Sequence, residues 1–196
     1  MQALKEAIVS KGQTIEPGII KVDSFLNHRL DSKLLFKLGE AFALRFGKEA
    51  PDLILTIESS GIALAVATAH ALHDIPVIFA KKSKAFNQSP DMAEEMIYSF
   101  THRDHCVIRV DLRYLYKGSK VLIIDDFLAN GEAVKGLMAI IKKADANLVG
   151  IGIAIEKGFQ QGGSQLRALG LPLLSLAVID EISDGNILFR NTDGEI

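Results

Sequence analysis

A short apolar run that ends in two adjacent carboxylates constrains the fold of this chain more than any other feature. The segment reads Val121-Leu-Ile-Ile-Asp-Asp-Phe-Leu-Ala-Asn-Gly-Glu-Ala133. A continuous Val, Ile and Leu run is typical of a strand buried in a parallel sheet, and a helix-like segment begins near Glu132. Such sheets hold ligands where the carboxyl end of a strand faces a helix N-terminus. The segment therefore predicts an α/β fold with a ligand site at this place.

The same segment carries two kinds of polar group. The carboxylates of Asp125 and Asp126 offer acceptors suited to sugar hydroxyls. The backbone amides of residues 129–133, at the positive end of the following helix, can bind a phosphate. Side by side, the two elements indicate a phosphoribosyl group as ligand, although two acids after a strand also occur as a metal site or a solvated turn.

This order of residues resembles the phosphoribosyl pyrophosphate (PRPP) motif of the type I phosphoribosyltransferases. In that family a hydrophobic run, two acidic residues and a loop rich in Thr and Gly follow one another. Asn130, Glu132 and Ala133 stand where Thr, Gly and Thr are usual. Since Ala133 has no hydroxyl, we expect more of the phosphate contact to come from backbone amides and from Asn130.

Helical and strand-like patterns alternate along the chain, which predicts βαβ units and a mostly parallel sheet flanked by helices. The predicted helices cover 2–11, 31–47 (capped by Asp31 or Ser32), 62–73, 132–144 and 164–169. The predicted strands cover 52–57, 76–80, 120–124, 147–155 and 173–178. Residues 82–95 lose periodicity and predict a mobile loop, followed by a hairpin of 96–100 and 106–111. Residues 185–196 are either a short terminal strand with a tail or disordered.

The composition suits one domain covering residues 1–196. The chain is long enough for a large core, and its formal net charge of -2 offers no basic surface for nucleic acid. No apolar run approaches the roughly 18 residues of a membrane-spanning helix, and the first residues lack the apolar core of a signal peptide. Cys106 is the only cysteine, which excludes an intramolecular disulfide. We expect a cytoplasmic protein with neither nucleic acid nor membrane as partner.

A second turn from strand to helix, Thr56-Ile-Glu-Ser-Ser-Gly-Ile62, has the small residues of an anion site. Its Ser59, Ser60 and Gly61 let backbone amides approach an anion closely. In phosphoribosyltransferases the corresponding turn, here residues 58–61, binds the pyrophosphate of PRPP, often through an unusual backbone conformation. The alternative is that Ser59 and Ser60 only cap the helix.

Two lysines end the next predicted strand, just before the loop. Lys81 is a compact positive charge able to meet pyrophosphate oxygens, although both Lys81 and Lys82 are equally well explained as a solvated strand end. Adenine phosphoribosyltransferases have a basic pair at this place, followed by a flexible hood and a Tyr-Ser segment similar to Tyr98-Ser99. A lid that excludes water would protect a transition state resembling an oxocarbenium ion.

A third segment, Ile153-Ala-Ile-Glu-Lys-Gly-Phe159, supplies candidates for a purine site. Lys157 can donate to an oxo group, and Phe159 or Phe127 can pack on the ring, although a phenylalanine is more often a core residue. The segment from Ile20 to Asn27 is the expected hood over the base. Asn27 carries both a donor and an acceptor, which suits a base edge carrying both.

Together with Lys21-Val-Asp-Ser-Phe-Leu-Asn-His28, these motifs resemble the bacterial xanthine phosphoribosyltransferases over nearly the whole chain. The resemblance implies the type I phosphoribosyltransferase fold, with residues of about 1–30 in an N-terminal/C-terminal hood and a flexible loop and hairpin over 82–105. It implies transfer of ribose 5-phosphate from PRPP to N9 of xanthine in purine salvage, by a homodimer, with Mg²⁺ carried by PRPP rather than by protein ligands. The implied site residues are Asp125 and Asp126 (catalytic), Ala129, Asn130, Gly131, Glu132, Ala133, Glu58, Ser59, Ser60, Gly61 and Lys81 (PRPP), and Ile20, Asn27, Lys157 and Phe159 (xanthine).

Two other functions fit parts of the pattern. A PRPP-sensing regulator of transcription keeps this fold, but we expect it to need a DNA-binding extension, and only about twenty residues precede the hood segment. A phosphoribosyltransferase that prefers adenine or hypoxanthine needs a base pocket that accepts a 6-amino group or a bare C2.

Overall fold

A six-stranded sheet forms the centre of the protein, whose computed structural model describes residues 1–16, 18–82, 91–99, 104–183 and 186–191. Its strands are β3 Leu53–Ile57, β4 Val77–Ala80, β7 Lys120–Leu128, β8 Asn147–Lys157, β9 Leu173–Ser183 and β10 Asn186–Phe189. They run in the order β10-β9-β8-β7-β3-β4, and all neighbouring pairs are parallel except β9 and β10. The predicted α/β class with a mostly parallel sheet is confirmed.

Five α-helices flank this sheet in the part of the chain that the structure describes. They are α1 Gln2–Lys11, α2 Ser32–Phe46, α3 Gly61–Ala71, α4 Glu132–Lys143 and α5 Gly162–Ala168. One hydrophobic cluster joins α1, α2 and α3 to one side of the sheet, and a second joins α4 and α5 to the other. The amide of Leu34 donates to the Asp31 side chain, so Asp31 is the N-cap of α2. No helix in the described ranges is long and apolar enough to cross a membrane.

The N-terminal segment forms small elements that the sequence did not predict. β1, Gln13–Glu16, pairs with β2, Ile19–Lys21, and a π-helical turn covers Asp23–Asn27. Phe25 and Leu26 of this turn are buried in the same cluster as α1 and α2. The second half of the predicted hood therefore packs into the core. Pro17 lies outside the described residues.

The prediction of a mobile loop over 82–95 is wrong for its last residues. β5, Met92–Ser99, pairs along its whole length with β6, Asp104–Asp111. The hairpin packs on α4, where Lys143 forms an ion pair of 2.6 Å with Glu95. Long-range pairing thus orders residues whose local pattern resembles a loop. Residues 83–90 and 100–103 of the predicted flexible segment lie outside the described ranges.

Several strands are longer than their apolar runs. β7 continues to Leu128, so Asp125 and Asp126 lie inside the strand rather than after it, because Asp125 and Phe127 still pair with Ile153 and Ile155 of β8. β8 likewise extends to Lys157 and β9 to Ser183. Part of the C-terminal segment forms β10, which agrees with the predicted terminal strand, and residues 192–196 lie outside the described ranges.

Candidate active site

A cleft of about 190 Å³ opens at the carboxyl ends of β3 and β7. It brings together three sequence motifs that the chain separates: the turn after β3, the paired carboxylates and the loop before α4. The cleft is lined by Ile57, Glu58, Ser60, Lys82, Ile97, Tyr98 and every residue from Asp125 to Val134. This is the sheet edge where the sequence predicted a phosphoribosyl ligand.

The two carboxylates are held at the floor of this cleft. Asp125 is 4% and Asp126 is 7% exposed. The backbone amide of Asp126 donates to Oδ1 of Asp125 over 3.0 Å. Burial, and then the adjacent charge of Asp126, raise the pKa of the Asp125 carboxyl well above its usual value, while Lys82 acts in the opposite direction. The pair can accept hydrogen bonds from a diol and place negative charge beside a reacting sugar carbon.

The loop before α4 has the geometry of a phosphate site. Gly131 has φ of +85°, which a residue with a side chain rarely adopts, and α4 begins at Glu132. Nζ of Lys135 lies 3.3 Å from the Asn130 carbonyl oxygen and 3.3 Å from Oε1 of Glu132. The Glu132 carboxylate is therefore paired with a lysine of its own helix. The amides of the first helical turn remain the groups suited to an anion.

The turn after β3 faces the loop across the cleft. The peptide bond between Glu58 and Ser59 is cis. A Glu58 carboxylate oxygen accepts from the Lys82 amide, which ties this turn to the end of β4. Ser60 occupies the N-cap of α3 without a side-chain hydrogen bond, so the capping role that was the alternative for this serine is absent.

The second lysine of the basic pair, rather than the first, reaches the cleft. Lys82 lines it, whereas Lys81 is absent from its lining. The backbone of Lys81 pairs with Arg109 of β6, and its Nζ lies 5.9 Å from the centre of the Phe79 ring. Pairing with Arg109 holds Lys81 against β6, whereas Lys82 lies in a bend directly after it. The structure therefore places Lys82 rather than Lys81 at the cleft, and the PRPP contact predicted for Lys81 stays a prediction.

The predicted base residues lie in the hood and at or just after the end of β8. Nζ of Lys157 donates to the Gly18 carbonyl oxygen over 3.0 Å, and burial lowers the pKa of the Lys157 ammonium. Phe159 is 42% exposed and lies close to Gly18. Nδ2 of Asn27 lies 3.4 Å from Oδ2 of Asp126, whereas Ile20 is a core residue at 7% exposure. The hood thus contacts both the lysine and the carboxylate pair, and Phe127 lines the cleft.

Sequence reasoning missed a buried polar cluster directly before Lys157. Glu156 is 1% exposed and forms two hydrogen bonds, of 2.6 and 2.8 Å, with the guanidinium of Arg167. The hydroxyl of Ser175 also donates to Glu156. The position of a glutamate inside a buried strand was the available indication, since a carboxylate there requires partners. The cluster fixes α5 to the strand that carries Lys157.

Comparison with known proteins agrees with this geometry. Residues 30–165 match the family model described as the phosphoribosyl transferase domain. Xanthine phosphoribosyltransferase 1 of Clostridium perfringens is 47% identical over 97% of this chain and 100% of its own length. Xanthine phosphoribosyltransferase of Alkaliphilus metalliredigens is 47% identical over 100% of this chain and 96% of its own length.

Solved structures confirm the fold. The adenine phosphoribosyltransferase of Rhodothermus marinus superimposes with a TM-score of 0.73 at 23% identity, over 91% of this chain and 100% of that one. The enzyme of the same name from Leishmania tarentolae gives 0.74 at 17% identity, over 94% of this chain and 91% of that one. The type I phosphoribosyltransferase architecture is thereby confirmed, and the chain belongs to the phosphoribosyl transferase domain family and, within it, to the xanthine phosphoribosyltransferases.

Proposed function

We propose that the protein transfers ribose 5-phosphate from PRPP to N9 of xanthine, giving xanthosine 5′-monophosphate and pyrophosphate in purine salvage. The observation that carries the proposal is the 47% identity, over nearly the whole chain, to enzymes named for this base. The proposal includes one domain over residues 1–196, a cytoplasmic location and a homodimer. The bond from C1 of ribose to pyrophosphate breaks, the bond from C1 to N9 forms, and the N9 proton leaves to solvent.

The proposed PRPP contacts divide between the two sides of the cleft. The amides of residues 129–133 receive the 5-phosphate, and Asp125 and Asp126 accept from the ribose hydroxyls. The turn at 58–61, together with Lys82, faces the leaving pyrophosphate. A ribose held at both ends presents C1 to the incoming nitrogen in a fixed direction, which lowers the entropic barrier of the transfer. The buried carboxylates stabilise positive charge that develops on the sugar ring.

The donor set of the cleft fits Mg²⁺ carried by PRPP. Mg²⁺ prefers oxygen ligands, keeps several waters and is commonly bound through one or two carboxylates together with substrate phosphates. Asp126 and Glu58 supply carboxylates at the cleft. The ion would supply charge neutralisation of the pyrophosphate.

Xanthine is proposed to lie between the hood and Lys157. Nζ of Lys157 is a donor for an oxo group, and its charge favours the anionic form of this acidic purine. The exposed face of Phe159 provides a surface for stacking. Asn27 and Ile20 complete the pocket from the hood side, with Ile20 contributing backbone because its side chain is in the core.

The test is to incubate the purified chain with PRPP, Mg²⁺ and each of xanthine, guanine, hypoxanthine and adenine, and to measure the nucleotide formed. We expect mainly xanthosine monophosphate. Preference for another purine would overturn the base assignment but keep the PRPP site. Tight PRPP binding without product from any base would favour a PRPP-sensing regulatory protein.

A pair of matched variants controls this test. Asp126→Asn removes one charge from the cleft and should reduce kcat/KM for PRPP by about 100-fold, as expected for a hydrogen bond to a charged group. Asp145→Asn makes the same change at an exposed residue whose partner, Lys117, is also on the surface. Asp145→Asn should retain wild-type kinetics. An Asp126→Asn enzyme with wild-type kinetics would remove Asp126 from the site.

A further inference from the structure

The phosphate loop rests on a residue that lies far from it in sequence. The amide of Gly162, the first residue of α5, donates to the Ala129 carbonyl oxygen over 3.0 Å. A Cβ placed on Gly162 would lie 2.4 Å from that oxygen and 2.8 Å from the Gly131 nitrogen. Both are backbone atoms of the loop, which cannot move aside as the end of a flexible side chain can. The contact therefore has room for no residue except glycine.

The loop meets this contact with its own glycine. A Cβ on Gly131 would lie 3.3 Å from the Cα of Gly162. Two glycines thus face each other, and the backbone of α5 at Gly162 forms a wall against the loop without lining the cleft itself. The loop's amides can point at a phosphate only while that wall stays in place.

The wall is itself anchored to the strand that leads to the base pocket. Glu156 at the end of β8 pairs with Arg167 of α5, and Lys157 follows Glu156 directly. Only four residues separate Lys157 from Gly162 in the chain, so one short segment carries both the proposed base lysine and the wall of the phosphate loop.

We infer that Gly162 is a positioning residue for the 5-phosphate of PRPP. It acts by fixing the backbone of residues 129–131 in the phosphate loop. The inference rests on the proposed function, since it requires that the loop bind a phosphate. Gly162 touches no substrate; it acts through the loop. Residues outside the motif therefore set the affinity of the motif for its ligand.

Two ligands that each occupy one half of the PRPP site test this role. Ribose 5-phosphate uses the loop, whereas inorganic pyrophosphate with Mg²⁺ uses the turn at 58–61. Gly162→Ala should weaken ribose 5-phosphate binding at least tenfold and change pyrophosphate binding less than twofold in calorimetry. A loss of fold would weaken the binding of both ligands. A loss of affinity for ribose 5-phosphate alone therefore indicates a change in the loop.

Two further glycines provide controls. Gly163→Ala crowds Glu156 and Arg167 instead of the loop, and Gly47→Ala meets only Leu72, at 3.7 Å. Gly47→Ala should bind both ligands as the wild type does. Gly163→Ala disturbs the anchor of α5 and not the loop itself, so it should weaken ribose 5-phosphate binding less than Gly162→Ala does. Equal weakening by the two variants at equal melting temperature would assign the effect to α5 in general and overturn the inference.

A measurement on the wild type covers the case in which Gly162→Ala does not fold. Ribose 5-phosphate should slow hydrogen exchange of the Gly162 amide more than tenfold, because it stabilises the loop carbonyl that accepts from this amide. The Gly118 amide, which donates to Asp145, should be unaffected. Equal exchange with and without ligand overturns the inference. A wild type that binds neither ligand overturns the proposed function as well, and one that binds both while Gly162→Ala behaves identically overturns the inference alone.

Discussion

The side chain of Asn27 contacts the carboxylate of Asp126 across 99 residues of sequence, with its Nδ2 3.4 Å from Oδ2. Asn27 is the last residue of the π-helical turn of the hood, and Asp126 lies on the floor of the proposed PRPP cleft. A residue proposed to read the base therefore meets a residue proposed to hold the ribose. The proposed base and ribose sites thus adjoin at this pair of side chains.

We predict that Asn27→Ala raises the KM for xanthine about tenfold, the equivalent of roughly 1.4 kcal/mol for a lost hydrogen bond. The KM for PRPP should change by less than threefold, because the contact to Asp126 is long. Steady-state kinetics with each substrate varied in turn measure both values. Asn147→Ala is the matched control. The Asn147 side chain also donates one hydrogen bond, to the Gly118 carbonyl oxygen, but it lies at the amino end of β8. Equal effects of the two variants would remove Asn27 from the pocket.

The main parts of the site were predictable because they are local in sequence. Asp125, Asp126 and residues 129–133 are contiguous, and the turn at 58–61 follows its own apolar run. The residue types of each motif are enough to recognise it. Because parallel strands end at one edge of the sheet, the motifs are expected to lie close together. Neither step needs knowledge of side-chain packing.

The remaining features depend on long-range pairing. β7 passes beyond its apolar residues because β8 pairs with Asp125 and Phe127. The choice between Lys81 and Lys82 depends on the pairing of Lys81 with Arg109. The contact of Gly162 with Ala129 requires the position of α5, which Glu156 fixes. No local pattern in the sequence contains these relationships.

Asp125 should make the stability of the protein depend on pH. Because the pKa of its carboxyl is raised in the folded protein, the protonated form favours folding. That contribution is complete below the ordinary pKa of 3.8 and is lost as the pH rises through the raised value. Asp125→Asn cannot ionise and should escape this loss. We predict that its melting temperature, relative to wild type, is higher at pH 8 than at pH 4 by about 3 °C or more, the shift produced by roughly 1 kcal/mol.

Differential scanning calorimetry at a series of pH values checks this expectation. The quantity to plot is the difference in melting temperature between the variant and the wild type at each pH. A difference that stays constant from pH 4 to pH 8 would show that the Asp125 carboxyl titrates normally. The same variant should lose activity, so stability and turnover change in opposite directions.

Lys157 should determine which purine is used more than whether the protein folds. We predict that Lys157→Met lowers kcat/KM for xanthine by about 100-fold, the loss expected for a charged hydrogen bond. The loss with hypoxanthine should be smaller, because that base has one fewer oxo group and is less acidic. Burial lowers the pKa of Lys157, so its charge opposes folding below that pKa, and the neutral methionine should not reduce the melting temperature at pH 7.

The matched control for this change is Lys120→Met. Nζ of Lys120 also donates to a backbone carbonyl, that of Glu49, but at the amino end of the sheet. Its kinetics with both purines should equal those of the wild type. Identical losses of kcat/KM with xanthine and hypoxanthine in Lys157→Met would contradict a selective role. Lys157 would then only hold the hood in place, through its hydrogen bond to the Gly18 carbonyl oxygen.

Gly61 should be as essential to the carboxylate pair as Gly162 is to the loop. A Cβ on Gly61 would lie 2.1 Å from Oγ1 of Thr56 and 2.9 Å from Oδ1 of Asp125. Thr56 is fully buried, so the added methyl group must displace either its hydroxyl or the carboxylate. We predict that Gly61→Ala lowers kcat/KM for PRPP at least 100-fold, whereas Gly47→Ala, which has space for the methyl group, does not.

A double variant with Thr56→Ala tests the cause of this loss, because it removes the closer of the two contacts. The loss of kcat/KM caused by Gly61→Ala should be at least tenfold smaller in the Thr56→Ala background than in the wild type. Wild-type kinetics in Gly61→Ala, or an equal loss of kcat/KM in the two backgrounds, would show that the space left by Gly61 does not determine the position of Asp125.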